Sequence, residues 1–306
     1  MMKGKSLLTI GDMSQEELED VLALSDRLKA RGAEADERPL EGKVVGILFE
    51  KSSTRTRVSF EVGVVQLGGA PLYLAARDLQ WGRGEPIGDT ARVLSRYIDF
   101  LVARTFAHST LEELAEEGTI PVINALSDRF HPCQAIADLL TIREVAGKLQ
   151  GVTLAYVGDG NNVCNSLLLA AGKVGMRIRV ASPKGYAPDR EVVSDAEEEA
   201  AKSGGQIRIF ESPTEAVRGA EFVYTDVWAS MGQEAERDQR VRDFEGYQVD
   251  EALLKDAAPE ARVMHCLPAH RGEEVSAEVL DGPRAIVWDQ AENRLHAQKA
   301  ILARIA

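Results

Sequence analysis

The sequence of 306 residues has only three cysteines, Cys133, Cys164 and Cys266, and they lie far apart. That scarcity excludes a disulfide framework and points to reduced thiols in a cytoplasmic protein. No run approaches the about 18 consecutive apolar residues of a transmembrane helix. The opening Met1-Met2-Lys3-Gly4-Lys5-Ser6-Leu7-Leu8 lacks the apolar core, about 7–15 residues, of a secretory signal. Positive charge is also short: 36 Lys and Arg stand against 49 Asp and Glu, a net charge of −13. Nucleic acid and anionic membrane are therefore excluded as expected partners, because both demand a basic surface. Any anion must be met by arginines gathered locally, which makes their positions informative. No fixed-period repeat or low-complexity tract is present.

What is there is an ordinary globular composition, 44% apolar and 28% charged, long enough for two domains. Ser14-Gln15-Glu16-Glu17 is a capping box opening a helix with Leu18, Val21, Leu22, Leu24 and Leu28 inward, stopped at Gly32. Short apolar runs at 44–49, 100–103, 121–123, 152–157, 177–180, 206–210, 222–225, 262–265 and 285–288 read as strands. Helical patterns separate them: 54–67 ended by Gly68-Gly69, one capped by Thr110-Leu111-Glu112-Glu113, Pro132 to about Ala146, Asn162–Val174, and a closing helix from Glu292. The alternation predicts an α/β fold: two α/β domains, each with a central, mainly parallel sheet flanked by helices. Residues 1–140 and 150–289 are the expected domains, and 290–306 is expected to pack back on the first.

Ligands of open α/β sheets bind beyond the carboxyl ends of strands, so the residues there are site candidates. Ser53-Thr54-Arg55-Thr56-Arg57 follows the first strand and enters a helix. Free N–H groups, the helix dipole and bidentate guanidinium groups suit it to an anion, and the same run reads equally as a Ser/Thr-rich N-cap with solvated arginines. It is no P-loop, because G-x-x-x-x-G-K-[ST] is absent. Other strand ends carry Arg104, His131-Pro132-Cys133-Gln134, Asn162, Asp226 and, after 285–288, Asp289 and Arg294. Gly158-Asp159-Gly160 is half of a dinucleotide fingerprint. Its third glycine would fall at Val163, and the acidic residue about 20 positions on is missing, which argues against NAD. His265-Cys266-Leu267-Pro268-Ala269-His270 lacks a C-x-x-C pair or H-x-x-x-H helix, which argues against zinc. Cys266 reads equally as a nucleophile and as a buried thiol. Trp228, Met231 and Trp288 read as core or wall, and Glu197-Glu198-Glu199 as a solvated helix face.

Four of these segments, Ser53–Arg57, His131–Gln134, Asp226-Val227-Trp228-Ala229-Ser230-Met231-Gly232 and His265–Pro268, together resemble the signature set of the ornithine carbamoyltransferase family. The first two are shared with aspartate carbamoyltransferases; the last two mark ornithine as acceptor. The resemblance implies transfer of the carbamoyl group of carbamoyl phosphate to the δ-amine of L-ornithine, giving L-citrulline and phosphate. It also implies a trimer or a multiple of it, and neither metal nor organic cofactor. Carried over by position, Ser53, Thr54, Arg55 and Thr56 would bind the phosphate. Arg104, His131 and Gln134 would bind the carbamoyl group, with Cys266 and the main chain at Leu267. Arg294 would join them, and Gln80 would reach a neighbouring subunit's site. Arg104, His131 and Cys266 are the catalytic candidates; Asn162, Asp226, Ser230 and Met231 would hold ornithine. Cys133 departs from the commoner Thr of its motif, a change expected to be neutral. The alternative is a transcarbamylase acting on another amine.

Overall fold

A computed structural model describes residues 2–31, 38–229 and 234–306. Gly32, expected to stop the first helix, and Ser230, Met231 and Gly232 lie outside the described residues. The chain divides into one unit of Met1–Leu140 with Asn293–Ala306, and a second of Thr141–Glu292.

The first unit opens with α1 (Gln15–Arg31). Its capping box is formed: Ser14 N donates to Glu17 Oε2 at 3.1 Å and Glu17 N to Ser14 Oγ at 3.2 Å. There follow β1 (Val44–Phe49), α2 (Thr54–Gln66), β2 (Ala70–Ala75), α3 (Ile87–Leu94), β3 (Phe100–Arg104), α4 (His108–Glu117), β4 (Val122–Leu126) and α5 (Pro132–Ala146). The strands form a parallel sheet in the order β2-β1-β3-β4. Leu48, Leu101, Ala103 and Val122 pack against Ala91, Leu111 and Leu114 of the helices to make part of its core. Leu7 covers the β4 edge: its N–H donates to Val122 O and its carbonyl accepts from Asn124 N, both at 2.8 Å.

The second unit contains β5 (Thr153–Val157), α6 (Asn162–Lys173), β6 (Arg177–Ala181), α7 (Arg190–Ser203), β7 (Gln206–Phe210), α8 (Pro213–Val217), β8 (Phe222–Thr225), α9 (Arg237–Asp243), β9 (Arg262–His265) and α10 (Ala277–Leu280). Its sheet is parallel, in the order β7-β6-β5-β8-β9. A final helix, α11 (Val287–Ile305), runs into the residues of the first unit. There it meets α1 and α2 through Arg304 to Asp20 at 2.6 Å and Lys299 to Gln66 at 2.9 Å.

Two parallel-sheet α/β units match the expected class, with four local corrections. Residues 285–288 are not a strand: Ala285 makes one bridge to Val263, and α11 begins at Val287 with Trp288 67% exposed, outside any core. A four-residue apolar run has no period that separates helix from strand. Asp289 therefore lies within a helix and follows no strand. Helix α4 starts at His108, before Thr110, because Asp128 Oδ1 accepts from His108 N at 2.8 Å and caps it from another loop. Strand β2 follows directly on the glycines that end α2; its Pro71 is tolerated because β2 is an edge strand. Glu199 is not simply solvated, since it binds Lys173 at 3.1 Å and Lys202 at 2.7 Å.

Each sheet reverses its winding once, between β1 and β3 and between β5 and β8. Such switch points open a crevice at the carboxyl ends of the strands. At the second, Gly160 N donates to Tyr186 O at 2.8 Å, and a Cβ on Gly160 would lie 2.2 Å from Pro188 N. The glycine thus serves backbone packing, which explains a glycine turn with no dinucleotide fingerprint behind it. Gly160→Ala is expected to destabilise by about 1–3 kcal/mol through overpacking. Urea unfolding checks this, and an unchanged midpoint would contradict it.

Candidate active site

At the first switch point, Phe49 of β1 and Arg104 of β3 are register partners. An irregularity between Ala103 and Arg104 in the pairing with β4 re-aims the chain there. Beyond β1, Ser53 caps α2: its Oγ accepts from Thr56 N at 3.4 Å and donates to Thr56 Oγ1 at 3.1 Å. Thr54 and Arg55 are exposed on the first turn, beside the free N–H groups of the helix. Arg57 has other work, bonding Glu61 at 2.9 Å and lying 3.7 Å from the Tyr73 ring centre. The two arginines of the motif are thereby separated in role.

Buried Arg294 of α11 ties three elements together. Its Nη2 donates to Thr56 Oγ1 at 2.9 Å, and its Nη1 donates to Gln134 Oε1 at 2.8 Å and lies 3.4 Å from His131 Nε2. Gln134 Nε2 in turn donates to Asp138 at 2.8 Å. Burial pushes the His131 imidazole well below its ordinary range, and Arg294 and Arg104 push the same way. His131 is thus a neutral ring, able to polarise an oxygen by hydrogen bonding. Cys133 is fully buried, its thiol pushed up to about 12 by burial, and it donates to Asn124 O at 3.4 Å. It is a packed, unreactive group. Gln80 stands exposed in a short helix, Gln80–Arg83, whose Trp81 bonds Thr90 at 2.8 Å.

At the second switch point Asn161 caps α6, its Oδ1 accepting from Val163 N at 3.0 Å and Cys164 N at 3.1 Å. Its Nδ2 donates to Asp226 Oδ2 at 2.8 Å, joining the ends of β5 and β8. Asp226 Oδ1 also accepts from Val227 N at 2.8 Å and from Cys266 Sγ at 2.9 Å. The thiol of Cys266 is here a hydrogen-bond donor to the carboxylate. Asn162, the predicted ligand residue, is the buried first residue of α6. Nearby, Arg240 Nη1 donates to Asp159 at 2.8 Å and to Trp228 O at 2.9 Å, and Trp228 stacks on Phe244. Asp159 and Asn161 stand at a strand end to which the sequence reading gives no site role beyond Asn162, and Arg240 is not among the predicted residues. An Asn directly before a helix is the cap signal that could have exposed Asn161; nothing local signals a partner 81 residues away.

Asp226, His265 and Cys266 offer atoms within 4.8 Å of one another, as do His270, Glu273 and Glu274. The first set is committed to hydrogen bonds: Asp226 to Cys266, and both nitrogens of His265 to Leu267 N and Glu274. A metal there would have to break these.

Residues 5–144 match the aspartate/ornithine carbamoyltransferase, carbamoyl-P binding domain, and residues 150–305 the Asp/Orn binding domain of the same enzymes. The chain belongs to the aspartate/ornithine carbamoyltransferase family. It is 57% identical to an ornithine carbamoyltransferase of Anoxybacillus flavithermus, over 99% of this chain and 97% of that one. Among solved structures, the ornithine carbamoyltransferase of Pyrococcus furiosus superposes with a TM-score of 0.96 at 52% identity, covering 99% of this chain and 97% of the other. That of Thermus thermophilus gives 0.88 at 46% identity, with 97% of each chain covered. Both conserved domains of the family are thus present in one chain.

The His131 environment has a consequence for stability. An unfolded chain protonates this imidazole near its ordinary pKa, about 6.5, while the folded protein does not. The folded state is therefore favoured above that pH and loses stability as pH falls through about 6.5. His108, lowered by burial, adds in the same direction. In urea unfolding between about pH 7.5 and 5.5, His131→Gln should show a shallower acid loss than the parent. Parallel pH profiles would refute the assignment.

Proposed function

We propose that this protein transfers the carbamoyl group of carbamoyl phosphate to the δ-amine of L-ornithine, releasing L-citrulline and phosphate. The observation that carries the reading is the pair of polar half-sites at the switch points: a helix N-terminus with Arg55, and a buried Asp226. The dianionic phosphate binds Ser53, Thr54, Arg55 and Thr56 at the start of α2, where N–H groups and guanidinium meet it. Arg294 holds Thr56 and Gln134 in place for it. Arg104 and neutral His131 donate to the carbamoyl oxygen as amine attack turns it into an oxyanion. Gln134 and the main chain at Cys266 and Leu267 contact the carbamoyl group. Ornithine must first shed its δ-ammonium proton, because only the neutral amine attacks. The departing phosphate accepts a proton, so no dedicated protein base is required. Holding amine nitrogen and carbamoyl carbon in attack geometry supplies a large part of the rate.

Asp226 pairs with the α-ammonium of ornithine and Asn162 with its carboxylate, aided by Ser230 and Met231. An aspartate acceptor would need a spare cation for its second carboxylate. Arg240, the buried cation near this half-site, already donates to Asp159 and Trp228 O. Ureido-product assays with ornithine, aspartate and putrescine test the acceptor, and activity with aspartate or putrescine in place of ornithine would overturn it. Arg55→Ala should cost about 1.5–3 kcal/mol in kcat/KM for carbamoyl phosphate. Asp226→Asn should instead damage ornithine use and spare equilibrium binding of carbamoyl phosphate. The reverse split would exchange the two half-sites.

The protein acts in the cytoplasm as a trimer or a multiple of trimers. No helix among the described residues is long and apolar enough to cross a membrane. Val58, Val62 and Val65 form an exposed apolar stripe at i, i+4 and i+7 on α2, with Leu72 on the edge strand β2 also exposed, which supports subunit association. Gln80 completes the site of an adjacent subunit. Mixing inactive Gln80→Ala and Arg55→Ala chains under subunit exchange should raise activity above either parent, because some sites then receive both intact residues. No gain on mixing would place Gln80 and Arg55 in one chain's site.

A further inference from the structure

Strand β9 ends at His265, and the chain then makes its one non-glycine excursion to positive φ among the described residues: Leu267, at φ 57°. A side chain with a Cβ resists this left-handed conformation, so it persists only where the surroundings impose it. A buried His–Glu pair imposes it here. Leu267 N donates to His265 Nδ1 at 2.8 Å. A backbone N–H can only donate, so Nδ1 is the bare nitrogen and the ring proton sits on Nε2. That nitrogen faces Glu274 Oε1 at 3.1 Å. The same Oε1 accepts from His270 N at 2.6 Å, on the far limb of the loop. Both side chains are fully buried. His265 N is itself tied to Gln290 Oε1 at 2.9 Å, and Gln290 Nε2 to Tyr224 OH at 3.2 Å. The loop of residues 266–269 is thereby pinned at both ends to one pair.

We propose that His265 and Glu274 are positioning residues for carbamoyl transfer. Glu274 selects the tautomer of His265, and His265 Nδ1 consumes the Leu267 N–H and holds Leu267 in its left-handed conformation. With that donor spent, the main chain at Cys266 and Leu267 presents carbonyl oxygens, groups that accept from the NH2 of a carbamoyl ligand and gain nothing from a methyl. The inference rests on the role given above to the Leu267 main chain.

Its test uses the full enzyme and two phosphates of the same shape, carbamoyl phosphate as substrate and acetyl phosphate, with CH3 for NH2, as competitive inhibitor. His265→Gln keeps an amide near Glu274 but removes the acceptor for Leu267 N; His265→Asn keeps an acceptor near Nδ1 and loses Glu274. His265→Gln should raise KM for carbamoyl phosphate about tenfold or more, leave the acetyl phosphate inhibition constant and the ornithine KM near their parental values, and so shrink the discrimination between the two phosphates. His265→Asn should restore most of that discrimination. Glu274→Gln should show the same narrowing more weakly, and it carries the test if His265→Gln does not fold. Parental discrimination in both His265→Gln and Glu274→Gln overturns the proposal, as does an equal loss of affinity for both phosphates that tracks a fall in Tm. A parent enzyme that forms citrulline but does not discriminate between the phosphates refutes the role of the Leu267 main chain itself, a failure separate from that of the pair.

Discussion

The buried guanidinium of Arg294 is the constraint on which the first unit's site depends. It bonds a hydroxyl on α2 and an amide oxygen on α5, so residues 56, 134 and 294 are fixed by one planar group. Neither acceptor carries a charge. Its charge reaches its surroundings: it adds to the burial that lowers the His131 imidazole and opposes the burial that raises the Cys133 thiol. Arg294 and Arg104 bring positive charge to bear on His131 inside a protein of net charge −13. That is how an acidic chain can receive a dianion: the attraction is local, short-range and backed by low dielectric.

The second unit uses the opposite device. Asp226 is a buried carboxylate held by an amide, a backbone N–H and a thiol, none of them a cation. These donors orient the carboxylate without neutralising it. Asn161 does two tasks at once, capping α6 and bonding Asp226, so the helix start and the carboxylate share one anchor. A cationic acceptor group is the natural complement of such a site, as an anion is of the first. Under the proposed function, opposite signs on the two units would suit the two substrates by charge.

Several features were legible because they are local. The capping box at Ser14, the alternation of strands and helices, and the hydroxyl–arginine run at 53–57 each report on neighbours within a few residues. The structure departs from the local pattern where distant groups or ambiguous periods decide. Helix α4 starts early because Asp128 supplies its cap. Residues 285–288 divide between a single bridge at Ala285 and the start of α11 at Val287, because a short apolar run fits either period. Strand β2 has no clear signal in the sequence, since a proline and two preceding glycines resemble a loop, and only the edge position makes them compatible with pairing.

The sequence by itself determined the α/β class, the composition of each strand end, and the membership of the motifs in one family, because side-chain type and spacing are local properties of the chain. Tertiary structure alone decided which of those residues act together. It separated Arg55 from Arg57 by giving the latter to Glu61 and Tyr73. It set Asn161 against Asp226 across 65 positions, and joined Arg294 to Thr56 across 238. It also turned His265 and Glu274 into a brace for Leu267. These pairings arise from strand order at the two switch points and from the return of α11, and no periodicity along a chain encodes the partner of a buried charge.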